Sequence, residues 1–187
     1  MEEERQVLFR IGSLLLHYPD EELFRSLGSL GEILGDLPPH GAAGKFREFV
    51  DYLGKTPLLR AQEEYTRTFD FTPLTCLSLT YHRWGEGKER GEALLDLKHT
   101  YFKEGYEMGE GELPDYLPLV MEFMAVGGWE ETRRIMKEYT NSVVALAARL
   151  HELGSPYADL LEGVERLFGE DGIPGARDDG NVEPSGL

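Results

Sequence analysis

The chain has 187 residues, 41% hydrophobic and 11% aromatic, enough for one apolar core without disulfide or metal staples. Nineteen Lys and Arg against 35 Asp and Glu give a net charge of −16, which repels nucleic acid and anionic lipid and favours a basic partner. No apolar run approaches the roughly 18 residues of a membrane helix, the acidic start is unlike a secretory signal, and the lone Cys76 can close neither an internal disulfide nor a thiolate metal cage. A cytoplasmic protein with no membrane insertion and no nucleic-acid partner is expected.

Helical periodicity dominates from the start. Val7, Leu8, Ile11, Leu14, Leu15 and Tyr18 predict the apolar face of a first helix that Pro19 stops. Asp20 predicts the N-cap of a second helix, with Leu23, Phe24, Leu27 and Leu34 inward. The Pro and Gly content of residues 37–44 predicts a loop, followed by a third helix carrying Phe46, Phe49, Val50 and Leu53. Thr56 before Pro57 reads as an N-cap with proline in the first helical position, opening a fourth helix through Leu58, Leu59, Gln62, Tyr65 and Phe69.

Residues 74–84 contain Thr and aromatics that suit a strand, but no partner strand is evident, so a short helix is expected. The glycines of residues 85–91 fit neither the dinucleotide nor the P-loop spacing; a turn there leads into a long helix with Leu94, Leu95, Lys98, Tyr101 and Phe102. In "ELPDYLPLVMEF" (112–123) two prolines stand four apart, and proline is tolerated only in a helix's first turn. The next helix should therefore begin near Asp115. With Asp115 as N-cap and Pro118 the third helical residue, only the Leu117 N–H is left to cap, so Asp115 has spare acceptor capacity. Two more helices follow, one on Ile135, Met136, Tyr139, Val143, Leu146 and Leu150, the other opened by Ser155-Pro156 and carrying Tyr157, Leu160, Leu161, Val164, Leu167 and Phe168. The reading is one all-α domain of seven to nine helices over residues 1–169, with a disordered tail over 170–187.

Catalytic and metal motifs are missing. There is no His-Glu-x-x-His, no paired Glu-x-x-His, no Gly-x-Ser-x-Gly and no EF-hand loop. Asp96 and His99 have metal-ligand spacing but lack a second pair, and Cys76 with His82 is a nucleophile and base without a third orienting group. A helical enzyme using these groups is the weaker alternative; no resident cofactor and no metal site are expected.

Four blocks, "LLHYPDEEL" (15–23), "YTRTFD" (65–70), "GKERGEALLDLKHTYFKEGY" (87–106) and "ELPDYLPLVMEF" (112–123), in this order and spacing, resemble the NarJ family, the delta subunits of respiratory nitrate reductase, within the wider TorD and DmsD group of redox-enzyme maturation proteins. The resemblance implies an all-helical, non-catalytic chaperone. Its partner would be the apo catalytic subunit of nitrate reductase, bound chiefly at a basic amphipathic N-terminal segment and held open until molybdenum cofactor and iron–sulfur clusters are inserted. A chaperone of another molybdoenzyme is the alternative. Carried over residue by residue, the partner-binding positions are Tyr65, Phe69, Asp70, Arg90, Gly91, Pro114, Asp115, Tyr116 and Pro118. Thr68 stands where relatives often have Leu, and Tyr116 where many have His. A monomer is expected, with a helix-exchanged dimer as the alternative.

Overall fold

The computed structural model describes residues 2–38 and 41–169; the expected disordered tail lies outside the described residues. Among these, nine α-helices account for nearly all regular structure: α1 (Glu2–Leu16), α2 (Glu21–Gly35), α3 (Gly41–Gly54), α4 (Leu58–Phe69), α5 (Leu79–Trp84), α6 (Lys88–Lys103), α7 (Leu117–Met124), α8 (Trp129–Glu152) and α9 (Tyr157–Gly169). A 3₁₀ turn at Pro73–Thr75 precedes α5. The chain is all-α, as its periodicity implies.

The core forms around α9, which packs against both α3 and α8, while α1 lies along α7. Phe46 on α3 is its pivot. A Cβ on Gly163 of α9 would stand 2.7 Å from the Phe46 ring, and one on Gly12 of α1 would stand 3.0 Å from it and collide with the Met121 side chain. Two glycines thus let α1 and α9 approach one wholly buried ring. Each such large apolar side chain contributes about 1.5–3 kcal/mol on burial. At the edge of this junction Lys45 of α3 pairs with Asp159 at 2.8 Å and Glu162 at 2.9 Å on α9.

The faces of α8 and α9 are those the periodicity predicts: every apolar residue named for them is buried. Asp20 is an N-cap, accepting from Leu23 N–H at 2.8 Å. Other expectations are corrected. On α1 the inward stripe is Leu8, Phe9, Ile11, Leu15 and Leu16, while Val7 and Leu14 are exposed, because the helix turns the other edge of a wide apolar face inward; Tyr18 lies beyond the end of α1 and is exposed. Helix α3 begins at Gly41, inside the predicted loop, since Ala42 and Ala43 find a buried place. Thr56 does not cap α4; its hydroxyl donates back to the Tyr52 carbonyl at 2.7 Å and closes α3 instead. On α6 the buried residues are Leu97, Thr100 and Tyr101, leaving Leu95 and Phe102 in solvent.

Candidate functional site

The proline-framed segment starts α7 under α1. The N-cap of α7 is Tyr116, so Leu117 is its first helical residue and Pro118 its second; the expected N-cap at Asp115 is displaced by one residue. The start of α7 is buried: Ser13 of α1 donates to the Pro118 carbonyl at 2.8 Å, and Tyr101 donates to the Pro114 carbonyl at 2.7 Å. A residue other than proline at position 118 would bring into this buried turn an N–H with no intrahelical partner. The Leu117 N–H is satisfied from outside, by the Leu77 carbonyl at 2.8 Å, and Leu79 N–H donates to the Asp115 carbonyl at 3.0 Å. These two bonds make an antiparallel bridge between Ser78 and Tyr116. Residues 74–84 do find a pairing partner, though only one residue long, at Ser78, and Leu79–Trp84 form the expected short helix.

Asp115 is wholly buried and caps a helix other than its own. Its Oδ2 accepts from the Thr80 N–H at 3.1 Å, one of the orphan donors of α5, and from the hydroxyls of Ser78 and Thr80. Arg90, from the first turn of α6, donates through Nε to Thr80 Oγ1 at 3.1 Å and through its terminal nitrogen to Ser78 Oγ at 3.2 Å. A guanidinium can only donate and a carboxylate can only accept, so each hydroxyl takes a hydrogen bond from Arg90 and gives its own proton to Asp115. Asp115 and Arg90 thus form an ion pair bridged by two hydroxyls, joining α5, α6 and the start of α7. Asp115 Oδ1 is buried and takes no partner.

A half-exposed aromatic patch lies beside this anchor. The Tyr65 and Tyr116 hydroxyls are 2.9 Å apart. The Tyr18 ring meets Tyr65 edge-on at 5.4 Å, His17 meets Tyr116 at 6.1 Å, and Phe69 and Tyr157 continue the stack inward at 4.9 and 5.9 Å from Tyr65. Burial raises the phenol pKa of Tyr65 and of Tyr116, with the exposed Asp70 carboxylate adding to both, so the pair stays neutral and hydrogen-bonded at physiological pH. Tyr18 is about half exposed, and Glu112 is exposed on the loop before Asp115.

Of the residues singled out in the sequence, Tyr65 and Tyr116 meet in this patch, with Phe69 beneath them, and the exposed Asp70 follows Phe69 at the end of α4. Arg90, Pro114, Asp115 and Pro118 form its support, and Gly91 is an open position on α6. Sequence reasoning missed Ser78 and Thr80; the available signal was a Ser at the position just before a short helix, the usual setting of an N-cap. It also missed His17 and Tyr18 as site residues, although they sit in the "LLHYPDEEL" block. The nucleophile reading of Cys76 fails on geometry: His82 Nε2 lies 2.7 Å from the Cys76 carbonyl oxygen, to which it must donate, and burial raises the thiol's pKa. Asp96 is held by Arg134 at 2.8 Å, while His99 is exposed. Among the described residues no three His, Cys, Asp or Glu side chains gather as metal ligands, and no helix is long and apolar enough to cross a membrane.

Comparison with known proteins adds the family. The sequence model of the nitrate reductase delta subunit matches residues 38–162. The nitrate reductase molybdenum cofactor assembly chaperone NarJ of Bacillus subtilis is 38% identical over 158 residues, covering 84% of this chain and 86% of that protein. The corresponding NarJ of Escherichia coli K12 is 34% identical over 160 residues, covering 84% and 67%. A redox enzyme maturation protein from Archaeoglobus fulgidus has the same fold, with a TM-score of 0.63 at 22% identity over 89% of this chain and 93% of that one. A family match across most of the helical domain, together with relatives matched over most of their own length, means that the chain belongs to the nitrate reductase delta subunit family.

Proposed function

We propose that this protein is a cytoplasmic assembly chaperone, not an enzyme, that binds the apo catalytic subunit of respiratory nitrate reductase at its N-terminal segment and keeps it competent for molybdenum cofactor and iron–sulfur insertion. The carrying observation is the accessible patch of Tyr18, His17 and Tyr116, backed by the buried Tyr65 and flanked by the exposed Asp70 at the end of α4, resting on the buried Asp115 and its partly buried partner Arg90. It offers recognition without chemistry. Ring faces and edges accept apolar side chains and cations, and carboxylates at the rim attract a basic helix. The charge of −16 extends that attraction over the surface. Tyr18, Tyr116 and Asp70 are the direct contacts in this reading, while Arg90, Pro114, Asp115 and Pro118 act by holding Tyr116 in place. One chain serves one client.

The test is calorimetric titration with a synthetic peptide of the catalytic subunit's N-terminus. Tyr18→Ala should weaken binding several-fold to about tenfold, the loss of one aromatic contact, and Asp70→Asn several-fold at low salt and less at physiological salt, as expected of an exposed charge screened over about 8–10 Å. Unchanged affinity in both variants would remove the patch as the client site. Tighter binding of the corresponding peptide from a different molybdoenzyme would reassign the client.

A further inference from the structure

Helix α6 is unusual in how little of it is covered. Only Leu97, Thr100 and Tyr101 of its 16 residues are buried. On the opposite side Gly91, Leu95, Lys98 and Phe102 recur at spacings of four, three and four, the seam of a helix that packs against another helix. Leu95 is 69% exposed and Phe102 80%, and nothing stands within 4 Å of where a Gly91 Cβ would be.

We propose that two copies of this chain pair through antiparallel α6 helices. The argument for a second copy is self-complementarity in both size and charge. In an antiparallel pair related by a two-fold axis near residues 96 and 97, Phe102 of each copy lies over the partner's Gly91, the one seam position without a side chain, and Leu95 lies on the aliphatic stem of the partner's Lys98. Beyond the first turn, where Lys88 and Glu89 are of opposite sign and Arg90 is engaged by Ser78 and Thr80, the flanks carry acid at Glu92 and Asp96 and then base at Lys98, His99 and Lys103. Asp96 is partly occupied by Arg134 within the chain. Antiparallel pairing sets Glu92 between the partner's His99 and the partner's Lys103, whereas parallel pairing would oppose like charges along the whole length. Such a contact is isologous and closes at two copies. A seam of four residues a side covers far less than the roughly 1,600 Å² of a standard interface, so the dimer is weak and reversible. It uses none of the residues of the aromatic patch.

Sedimentation equilibrium over a range of protein concentrations tests this. Wild type should rise from monomer toward twice the chain mass, and Phe102→Asp should remain monomeric with an unchanged melting temperature, since the ring supports nothing within its own chain. Glu92→Lys and Lys103→Glu should each weaken dimerisation about tenfold or more, and the double variant should recover most of the loss because the opposite charges again face each other. A wild-type protein that stays monomeric, a dimer indifferent to Phe102→Asp, or a double variant no tighter than the singles overturns the proposal. Monomeric wild type together with reduced client-peptide affinity in Phe102→Asp would assign this face to the client instead.

Discussion

Asp115 shows how one carboxylate can organise three elements. The two prolines around it confine the start of α7, but its side chain serves α5, thirty-five residues earlier in sequence, where it meets the Thr80 N–H. That use is invisible in the sequence because it depends on the chain's return after α6; local reasoning can only assign a cap to the helix that follows. The bonding pattern makes a definite prediction. Asp115→Asn can keep one oxygen for Thr80 and Ser78, but its amide must then occupy the Oδ1 side, where no acceptor waits. A buried unsatisfied donor costs about 1–3 kcal/mol. Urea unfolding should show a loss of that size for Asn and a larger one for Ala, which strands three donors. Conservative exchange at an exposed cap would be silent, since Asn caps about as well as Asp; a silent Asp115→Asn would therefore show that the hydroxyl bridge carries little energy. Client affinity should fall in both variants in step with the loosening of Tyr116.

At the scale of elements, periodicity reveals a helix's inward face only when one face alone is apolar. Helices α8 and α9 meet that condition and their buried residues were legible, whereas α1 has apolar residues on both flanks, and the helices packed on it, α7 foremost with α3 and α9, decide that Leu8, Leu15 and Leu16 go in while Val7 and Leu14 stay out. Helix α6 misleads for the opposite reason: Leu95 and Phe102 look like core and are not. Glycines divide in the same way. Gly163 and Gly12 are required by close approach to Phe46, so Gly163→Ala should destabilise the fold by about 1–3 kcal/mol, the cost of overpacking a filled core. Gly91 faces open space in a helix, so Gly91→Ala should instead stabilise by about 0.5–1 kcal/mol. Thermal denaturation of the two variants should move the melting temperature in opposite directions. A destabilised Gly91→Ala would mean that α6 is less open than its geometry indicates.

Across the whole molecule, 35 acidic residues must be tolerated by a fold whose α3–α9 junction is held at its edge by a cation. Lys45 reaches from α3 to Asp159 and Glu162 on α9, and Arg166 pairs with Glu162 at 2.6 Å. Burial alone would raise the Glu162 pKa, but the hydrogen bonds from Lys45 and Arg166 outweigh it and hold the carboxyl below its ordinary value of 4.5. The hydrogen bond from Lys45 to Asp159 likewise raises the lysine pKa against the effect of burial. The consequences have opposite signs at the two ends of the pH scale. A carboxylate depressed in the folded state contributes stability that is fully present above the unfolded value and disappears as pH falls through the folded one; a raised ammonium contributes stability present below the unfolded value of 10.5 and lost as pH rises through the folded one. Neutralising the other carboxylates relieves self-repulsion as pH drops from 7 toward 5, so wild type should hold or gain stability over that interval and lose it below about 4.5. Melting temperatures of wild type and Glu162→Gln measured against pH separate the two effects. Self-repulsion is nearly the same in both proteins, so the stability advantage of wild type should be absent at the acid limit, grow as pH rises through the region below 4.5, and then stay level to neutrality. An advantage that does not change with pH would mean that Glu162 acts by packing alone, and the junction of α3 with α9 would then rest on Phe46 and its two glycines.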